Sequence, residues 1–366
     1  MKRHKICKII LAILSVFLCV AFYELIGICI TYKKQPAVSD ATIKETQNIM
    51  SVVGRENTER AVIIEKNSQA LLERVRLIQN AKDEIILSTF AFKSDESGKL
   101  ILGALHDAAD RGVHVRILVD GMESWIDMEG NPYFYGLSSH ENVEIKLYNK
   151  ANPLKPWKTM GRMHDKYLIA DGKIYILGGR NTYNYFLGDF PGHKNFDRDV
   201  LVVCDEPQKD NSVNQLWNYF ETIWKQEDCR YFHNSKKLAD RQSVKKAVLE
   251  LQEGYQQYFE VNKEKICDTD YADETFETEK ITLLSNPIHT QAKEPVVWYQ
   301  LGELMKNAKE RVKIHTPYII CNDMMYNTWK EIAERVPDFS IMTNSVANNG
   351  NPFGSADYAR NRNRIL

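Results

Sequence analysis

The chain has 366 residues, 43% of them apolar and 27% charged, a balance that excludes a disordered or collagen-like polymer and suits roughly two domains. Lys and Arg total 48 against 49 Asp and Glu, so the net charge of −1 supplies no global positive field for gripping nucleic acid. Seven cysteines without a Cys-x-x-Cys spacing argue against both a disulfide framework and a zinc site.

The first element is apolar. Ile9 to Tyr32 is broken only by Glu24, and its 24 residues span about 36 Å as a helix, enough for a bilayer core of about 30 Å. Lys2, Arg3, Lys5 and Lys8 precede it and only Lys33 and Lys34 follow, so the positive-inside rule predicts a cytoplasmic N-terminus and an extracytoplasmic soluble part. No small-x-small cleavage site follows the stretch, and Ile28 before Cys29 fits a lipoprotein signal poorly. We therefore read residues 1–34 as a retained single-pass anchor at the cell membrane.

Residues 35–60 are polar without sustained apolar periodicity and read as a linker or surface helix. From Ala61 the pattern alternates between strands and helices. Strands are predicted over Ala61–Glu65, Glu84–Phe92, Val113–Val119 and Val143–Tyr148. Helices fall over Ala70–Ala81 and over Leu100–Arg111, the latter closed by Gly112. Such alternation predicts an α/β fold with helices on both faces of a sheet. Trp217, Tyr219, Phe220 and Trp224 have helical spacing and read as core. Residues 231–280 are strongly charged and read as a helical insertion, with Leu249, Leu251, Tyr255 and Phe259 covering an edge of the core.

The pattern then recurs. Ile78-Gln-Asn-Ala-Lys-Asp-Glu-Ile-Ile-Leu-Ser-Thr89 aligns with Met305-Lys-Asn-Ala-Lys-Glu-Arg-Val-Lys-Ile-His-Thr316 at an offset of 227, and Val115–Asp120 aligns with Phe339–Asn344 at 224. An internal duplication is expected, with 61–230 as the first repeat and 281–366 as the start of the second.

One window carries chemistry. Met163-His-Asp-Lys-Tyr-Leu-Ile-Ala-Asp-Gly-Lys-Ile-Tyr-Ile-Leu-Gly-Gly-Arg-Asn181 reads as two strands joined at Asp171–Gly172. Strand alternation would put His164 and Lys166 on one face, about 7 Å apart between Cα atoms. Gly178 and Gly179 remove side-chain bulk, so a ligand can approach the backbone there, and Asn181 adds an amide donor. A nucleophile or base, a fixed cation, bare backbone and an amide describe a phosphate site. His106, His114, His193 and His315 read as surface, loop or packing groups.

His164-x-Lys166-(x)4-Asp171 followed by Gly178-Gly179-x-Asn181 resembles the signature of the phospholipase D superfamily. Ala109-Asp-Arg-Gly-Val-His-Val-Arg116, Asp197-Arg-Asp-Val-Leu-Val, Thr316-Pro-Tyr-Ile, Met342-Thr-Asn-Ser and Asp357-Tyr-Ala-Arg resemble its bacterial cardiolipin synthase branch. The resemblance implies a tandem-repeat α/β fold, a mixed sheet flanked by helices, here with the second repeat incomplete and a transmembrane helix in front. It implies a phosphatidyltransferase or phosphodiesterase acting on glycerophospholipids through a phosphohistidine at His164. Lys166 and Asn181 would hold the phosphate oxygens, and Gly178 and Gly179 would border the substrate. Asp171 would order the hairpin and Lys166. Asp197, with Asp199 second, would set the imidazole tautomer from behind. No metal and no cofactor is implied, and the partners expected are phospholipid, a membrane and a homodimer that completes the site, with nucleic acid not expected.

Members of this family build one site from two such motifs, the second histidine serving as general acid. The counterpart of His164 is expected about position 391, past Leu366, and residues 182–366 contain no His-x-Lys. Three readings stay open: a truncated enzyme with little turnover, an enzyme active only as a pair of chains (a phospholipid enzyme or an endonuclease), and a membrane-anchored binding module.

Overall fold

The structure is a computed structural model that describes residues 2–51, 59–206, 209–345 and 352–365. In chain order its elements are α1 (Lys2–Thr31), α2 (Asp40–Ser51), β1 (Arg60–Ile64), α3 (Asn67–Asn80), β2 (Glu84–Thr89), α4 (Glu96–Asp110), β3 (His114–Asp120), α5 (Trp125–Met128), α6 (Pro132–Ser138) and β4 (Val143–Tyr148). They continue with β5 (Tyr167–Ala170), β6 (Ile174–Gly178), β7 (Asp199–Val203), α7 (Ser212–Trp224), β8 (Cys229–Tyr231), α8 (Lys236–Ala239), α9 (Gln242–Cys267), β9 (Phe276–Glu277), α10 (Val296–Lys306), β10 (Arg311–His315), α11 (Asp323–Arg335), β11 (Asp338–Met342) and α12 (Pro352–Ile365). The chain divides into two compact units.

The first unit is built on a mixed sheet of nine strands among the described residues, in the order β8-β4-β3-β2-β5-β6-β7-β1-β9. Strands β2, β3 and β4 are parallel neighbours, and β5, β6 and β7 follow as antiparallel neighbours. Side chains alternate across a strand, and here the alternation feeds two cores. Ile85, Leu87, Val115, Ile117, Leu168 and Ile176 point to the face covered by α3, α4 and α6. Ile86, Leu118, Tyr167, Ile169 and Tyr175 point to the other face, where α7 contributes Leu216, Phe220, Ile223 and Trp224. Burial on both faces explains why these strands read as near-continuous apolar runs. Helix α1 is an apolar helix long enough to cross a bilayer over Lys8–Thr31.

The β5–β6 hairpin turns at Asp171 and Gly172, both at positive φ (52° and 61°), as a mirror-image hairpin turn requires. The Asp171 carboxylate accepts the backbone N–H groups of Lys82 (2.9 Å), Asp83 (2.8 Å) and Glu84 (3.0 Å), pinning the hairpin to the turn between α3 and β2.

Two expectations change. Of the span 35–60, read as a linker or surface helix, residues 40–51 form the helix α2, which belongs to the second unit rather than standing as a free linker, while 52–58 lie outside the described residues. Glu294 accepts hydrogen bonds from Ser39 N (2.7 Å), Ser39 Oγ (3.0 Å) and Thr42 Oγ1 (2.6 Å), so polar groups rather than an apolar stripe hold this helix. The charged insertion is also more than an edge cover. Helix α9 lies across α3, α4 and α6, burying Val244, Ala247, Leu251 and Tyr255. Leu249 is 58% exposed, because residues two apart on a helix face nearly opposite directions.

In the second unit β10 and β11 pair in parallel, flanked by α10 and α11 around Val312, Tyr326, Trp329 and Ile332. Shifting α3, β2 and α4 by 227 residues lands on α10, β10 and α11 to within two residues at every end. The order helix–strand–helix–strand is common to both units.

Leu251→Ala should lower the unfolding free energy by about 2–5 kcal/mol, and Leu249→Ala by no more than about 0.5 kcal/mol. Urea unfolding of the detergent-solubilised chain reads both; equal effects would mean that α9 does not pack as described.

Candidate active site

The site begins with a carboxylate. Asp120, buried at the C-terminal end of β3, accepts Met122 N (3.1 Å) and Glu123 N (3.0 Å) from its own turn. It also accepts Arg162 Nε (3.0 Å), Arg162 Nη2 (2.7 Å) and Met163 N (3.0 Å) from the segment ahead of β5. These bonds draw 162–165 toward the end of β3. Strand β5 therefore starts only at Tyr167, and His164 and Lys166 lie on the extended lead-in rather than on the strand itself. Gly178 N still donates to Lys166 O at 3.2 Å, so Lys166 keeps its strand register.

Phe90, just past β2, sits among the cations. Its ring lies 4.4 Å from the His164 ring, edge-on, 5.3 Å from Lys166 Nζ and 5.0 Å from the Arg162 guanidinium. The His164 side chain is open to solvent, and among the described residues no group hydrogen-bonds its ring nitrogens. Lys166 is buried and donates from Nζ to His164 O at 2.7 Å. Next to Phe90, Ala91 N donates to Asn181 Oδ1 at 3.1 Å, which leaves the Asn181 Nδ2 as its free donor. Asp165 points to the opposite face, where its carboxylate accepts Tyr219 OH at 2.8 Å.

The structure places other expected site residues differently. An added Cβ on Gly178 would come within 2.0 Å of Asp199 Oδ1, and one on Gly179 within 2.0 Å of Asp197 Oδ2. The bare backbone is thus occupied by two carboxylates, a correction to the idea that it is left clear for a ligand. Asp199 is buried with Arg74 (2.9 Å) and Arg180 (3.2 Å), so its charge is spent on structure and it is withdrawn as a partner for His164. Asp197 forms no hydrogen bond to His164 and acts instead on Lys166, whose positive charge it favours. Asp171 lies at the other end of β5 from Lys166, in the turn contacts described above.

Although part of the His164 side chain reaches solvent, desolvation of the rest by its neighbours, then the Lys166 charge, push its pKa down to about 4, with Asp120 opposing and Arg162 adding to the fall. Burial also pushes Lys166 down to about 8, with Asp165, Asp197 and Asp120 resisting. Near neutral pH the pair is a neutral imidazole beside an ammonium. That combination can attack an electrophilic centre while holding an anionic oxygen.

Residues 75–224, which hold Phe90, Asp120, Arg162, His164, Lys166 and Asn181, match the family described as "Cardiolipin synthase, PLD-like domain". This segment is a phospholipase D-like domain. Over 338 residues the chain is 26% identical to an uncharacterised protein of Helicobacter pylori, covering 85% of this chain and 64% of that one. It is 29% identical over 154 residues to cardiolipin synthase C of Escherichia coli, covering 38% and 31%. The chain thus spans less than two thirds of the length of these curated relatives. The fold is also similar to phosphatidylserine synthase of Haemophilus influenzae, with a TM-score of 0.53 and 13% identity over 85% of this chain and 67% of that one.

Within the phospholipase D-like domain, sequence reasoning missed Asp120, Phe90 and Arg162. Asp120 reads locally as half of an Asp-Gly turn. Its place at the carboxyl end of a parallel strand, where open α/β sheets put their ligands, was the available signal. In an NMR titration the His164 ring resonance, assigned by its loss in His164→Ala, should titrate near pH 4. A midpoint near 6.5, the ordinary histidine value, would remove the neutral-nucleophile argument.

Proposed function

We propose that the protein is a membrane-anchored phospholipase D-type enzyme that transfers or hydrolyses the phosphodiester of glycerophospholipids, as cardiolipin synthases do. The observation that carries this reading is the solvent-open, unpartnered and neutral His164 imidazole beside Lys166 inside a phospholipase D-like domain. The near-zero net charge favours a lipid phosphate over a nucleic-acid backbone, whose binding draws on many Lys and Arg contacts. The apolar Lys8–Thr31 is read as the anchor, with the rest of the chain outside the cytoplasm.

In this mechanism a His164 ring nitrogen attacks phosphorus, the bond to the leaving alcohol oxygen breaks, and that oxygen takes up a proton. Lys166 and the Asn181 amide hold the non-bridging oxygens as charge builds on them. An acceptor alcohol, or water, then attacks the phosphohistidine and returns the free imidazole. Asp165 and Asp197 favour the charge of Lys166, and Asp171, through the hairpin, keeps in register the strand that Lys166 leads into. The proton for the leaving alcohol comes in this reading from His164 of a second copy in its imidazolium form, which the bound phosphodiester favours, and the acceptor alcohol or water returns that proton in the second step. No metal enters these steps.

Incubation with phosphatidylglycerol vesicles labelled in the phosphate should leave an acid-labile, base-stable label on the protein. His164→Ala should carry none, and Lys166→Ala should slow turnover by about 100–1,000-fold, the loss typical of one oxyanion donor. Label that persists in His164→Ala would refute the nucleophile. Wild-type and His164→Ala chains, mixed and allowed to re-pair, report the second copy: activity should fall as the square of the wild-type fraction. A linear fall would mean that each chain works alone.

A further inference from the structure

The segment between β4 and His164 carries apolar side chains that nothing in the fold covers. Leu154 is 77% exposed and Met160 56%, with Trp157 and Lys155 also exposed between them. This segment also touches α1. Tyr23 OH donates to Leu154 O at 2.9 Å, and the Pro156 ring lies against the helix at Gly27, where an added Cβ would come within 2.4 Å of its Cγ. Gly27 lies four residues before Thr31, about 6 Å along the helix axis, and Tyr23 about 12 Å. If Lys8–Thr31 spans a bilayer, the Pro156 contact at Gly27 therefore falls within about 3 Å of the hydrocarbon boundary and the Leu154 contact at Tyr23 about 9 Å inside it. Tryptophan and lysine side chains prefer that boundary.

The backbone of the loop is prepared for such a place. Non-helical backbone near hydrocarbon must satisfy its own polar groups. Pro153 and Pro156 have no N–H. Leu154 N donates to Asn152 Oδ1 (2.9 Å) and Lys155 N to Asn152 O (2.9 Å). Lys158 N, Thr159 N and Gly161 N bond back to Lys155 O, Pro156 O and Lys158 O. Asn149 Nδ2 closes the loop by donating to Lys158 O (2.7 Å) and Gly161 O (2.8 Å). Three residues on from Gly161, at most about 10 Å of chain, is His164.

We propose that residues 150–160 form a membrane-seated strap, inserted beside α1 into the leaflet from which that helix emerges. Its partner is the interfacial region of a phospholipid bilayer, where Leu154, Trp157 and Met160 enter the lipid and Lys155 meets anionic headgroups. The strap holds His164 level with the lipid phosphates. It rests on the reading of α1 as a membrane anchor and extends it from a tether to a positioning device.

The test uses the full chain in phosphatidylcholine vesicles containing phosphatidylglycerol, with a dansyl-bearing residue incorporated at position 154, 249 or 14. Nitroxide-labelled lipids quench near the headgroups or near the bilayer centre. The probe at 154 should shift to the blue and lose most of its emission to the shallow quencher, while the probe at 249, on the exposed face of α9, keeps its emission. The probe at 14 should lose its emission to the deep quencher. An unquenched 154 with a quenched 14 overturns the strap and leaves the anchor standing. An unquenched 14 overturns the anchor, and the strap with it.

Discussion

A buried carboxylate organises the end of the sheet that carries the candidate site. Asp120 closes its own turn with Met122 and Glu123 and holds Arg162 and Met163 from a segment forty residues later. An unpaired carboxylate in that position would be costly. The Arg162 guanidinium compensates it, and the ion pair fixes the path of the chain two residues before His164. Because this path leaves the strand early, the imidazole stands clear of the sheet while Lys166 stays packed in it. The exposed imidazole and the buried ammonium are two consequences of one anchoring bond network.

A second cluster does the same for the other half of the site. Arg180, fully buried, reaches Ile64 O (3.2 Å), Glu65 O (2.6 Å) and the Asp197 carbonyl, and shares Asp199 with Arg74. It ties α3, the end of β1 and the start of β7 to the Gly178-Gly179-Arg180-Asn181 segment. The glycines matter because the carboxylates of Asp197 and Asp199 lie against them. A methyl group at either position would displace a carboxylate: at Gly178 the one that neutralises two buried arginines, at Gly179 one of those that, with Asp165, favour the charge of Lys166.

What the sequence made legible follows from range. Strands β2, β3 and β4, helices α3 and α4 and the Asp171–Gly172 hairpin were all readable, because period and turn chemistry act over a few residues. The phase of α9 was less so. Leu249 and Leu251 are both apolar, and only the positions of Val244, Ala247 and Tyr255 decide between them. His164, Lys166 and Asn181 were found as residue types at a spacing, but their geometry depends on Asp120 and Phe90, far away in sequence. The glycine pair was read as open space, since nothing local announces that carboxylates twenty residues on will fill it. Helix α2 lacked an apolar stripe to betray it, as its attachment runs through hydroxyls to Glu294.

The electrostatic setting of the two central groups has a consequence for binding an anion. An opposite charge within about 4–6 Å raises the pKa of a basic group by roughly one to three, so a phosphodiester would strengthen the charge on Lys166 and also tend to protonate His164. An imidazole starting at its ordinary value of about 6.5 would become a cation on contact with its substrate and lose the lone pair needed for attack. Starting from about 4, the same rise brings it at most to about neutrality, and the ring keeps its nucleophilic form. In the proposed mechanism, the desolvation and the neighbouring cations that depress His164 thus allow an anionic phosphodiester to be held by Lys166 while the imidazole stays neutral.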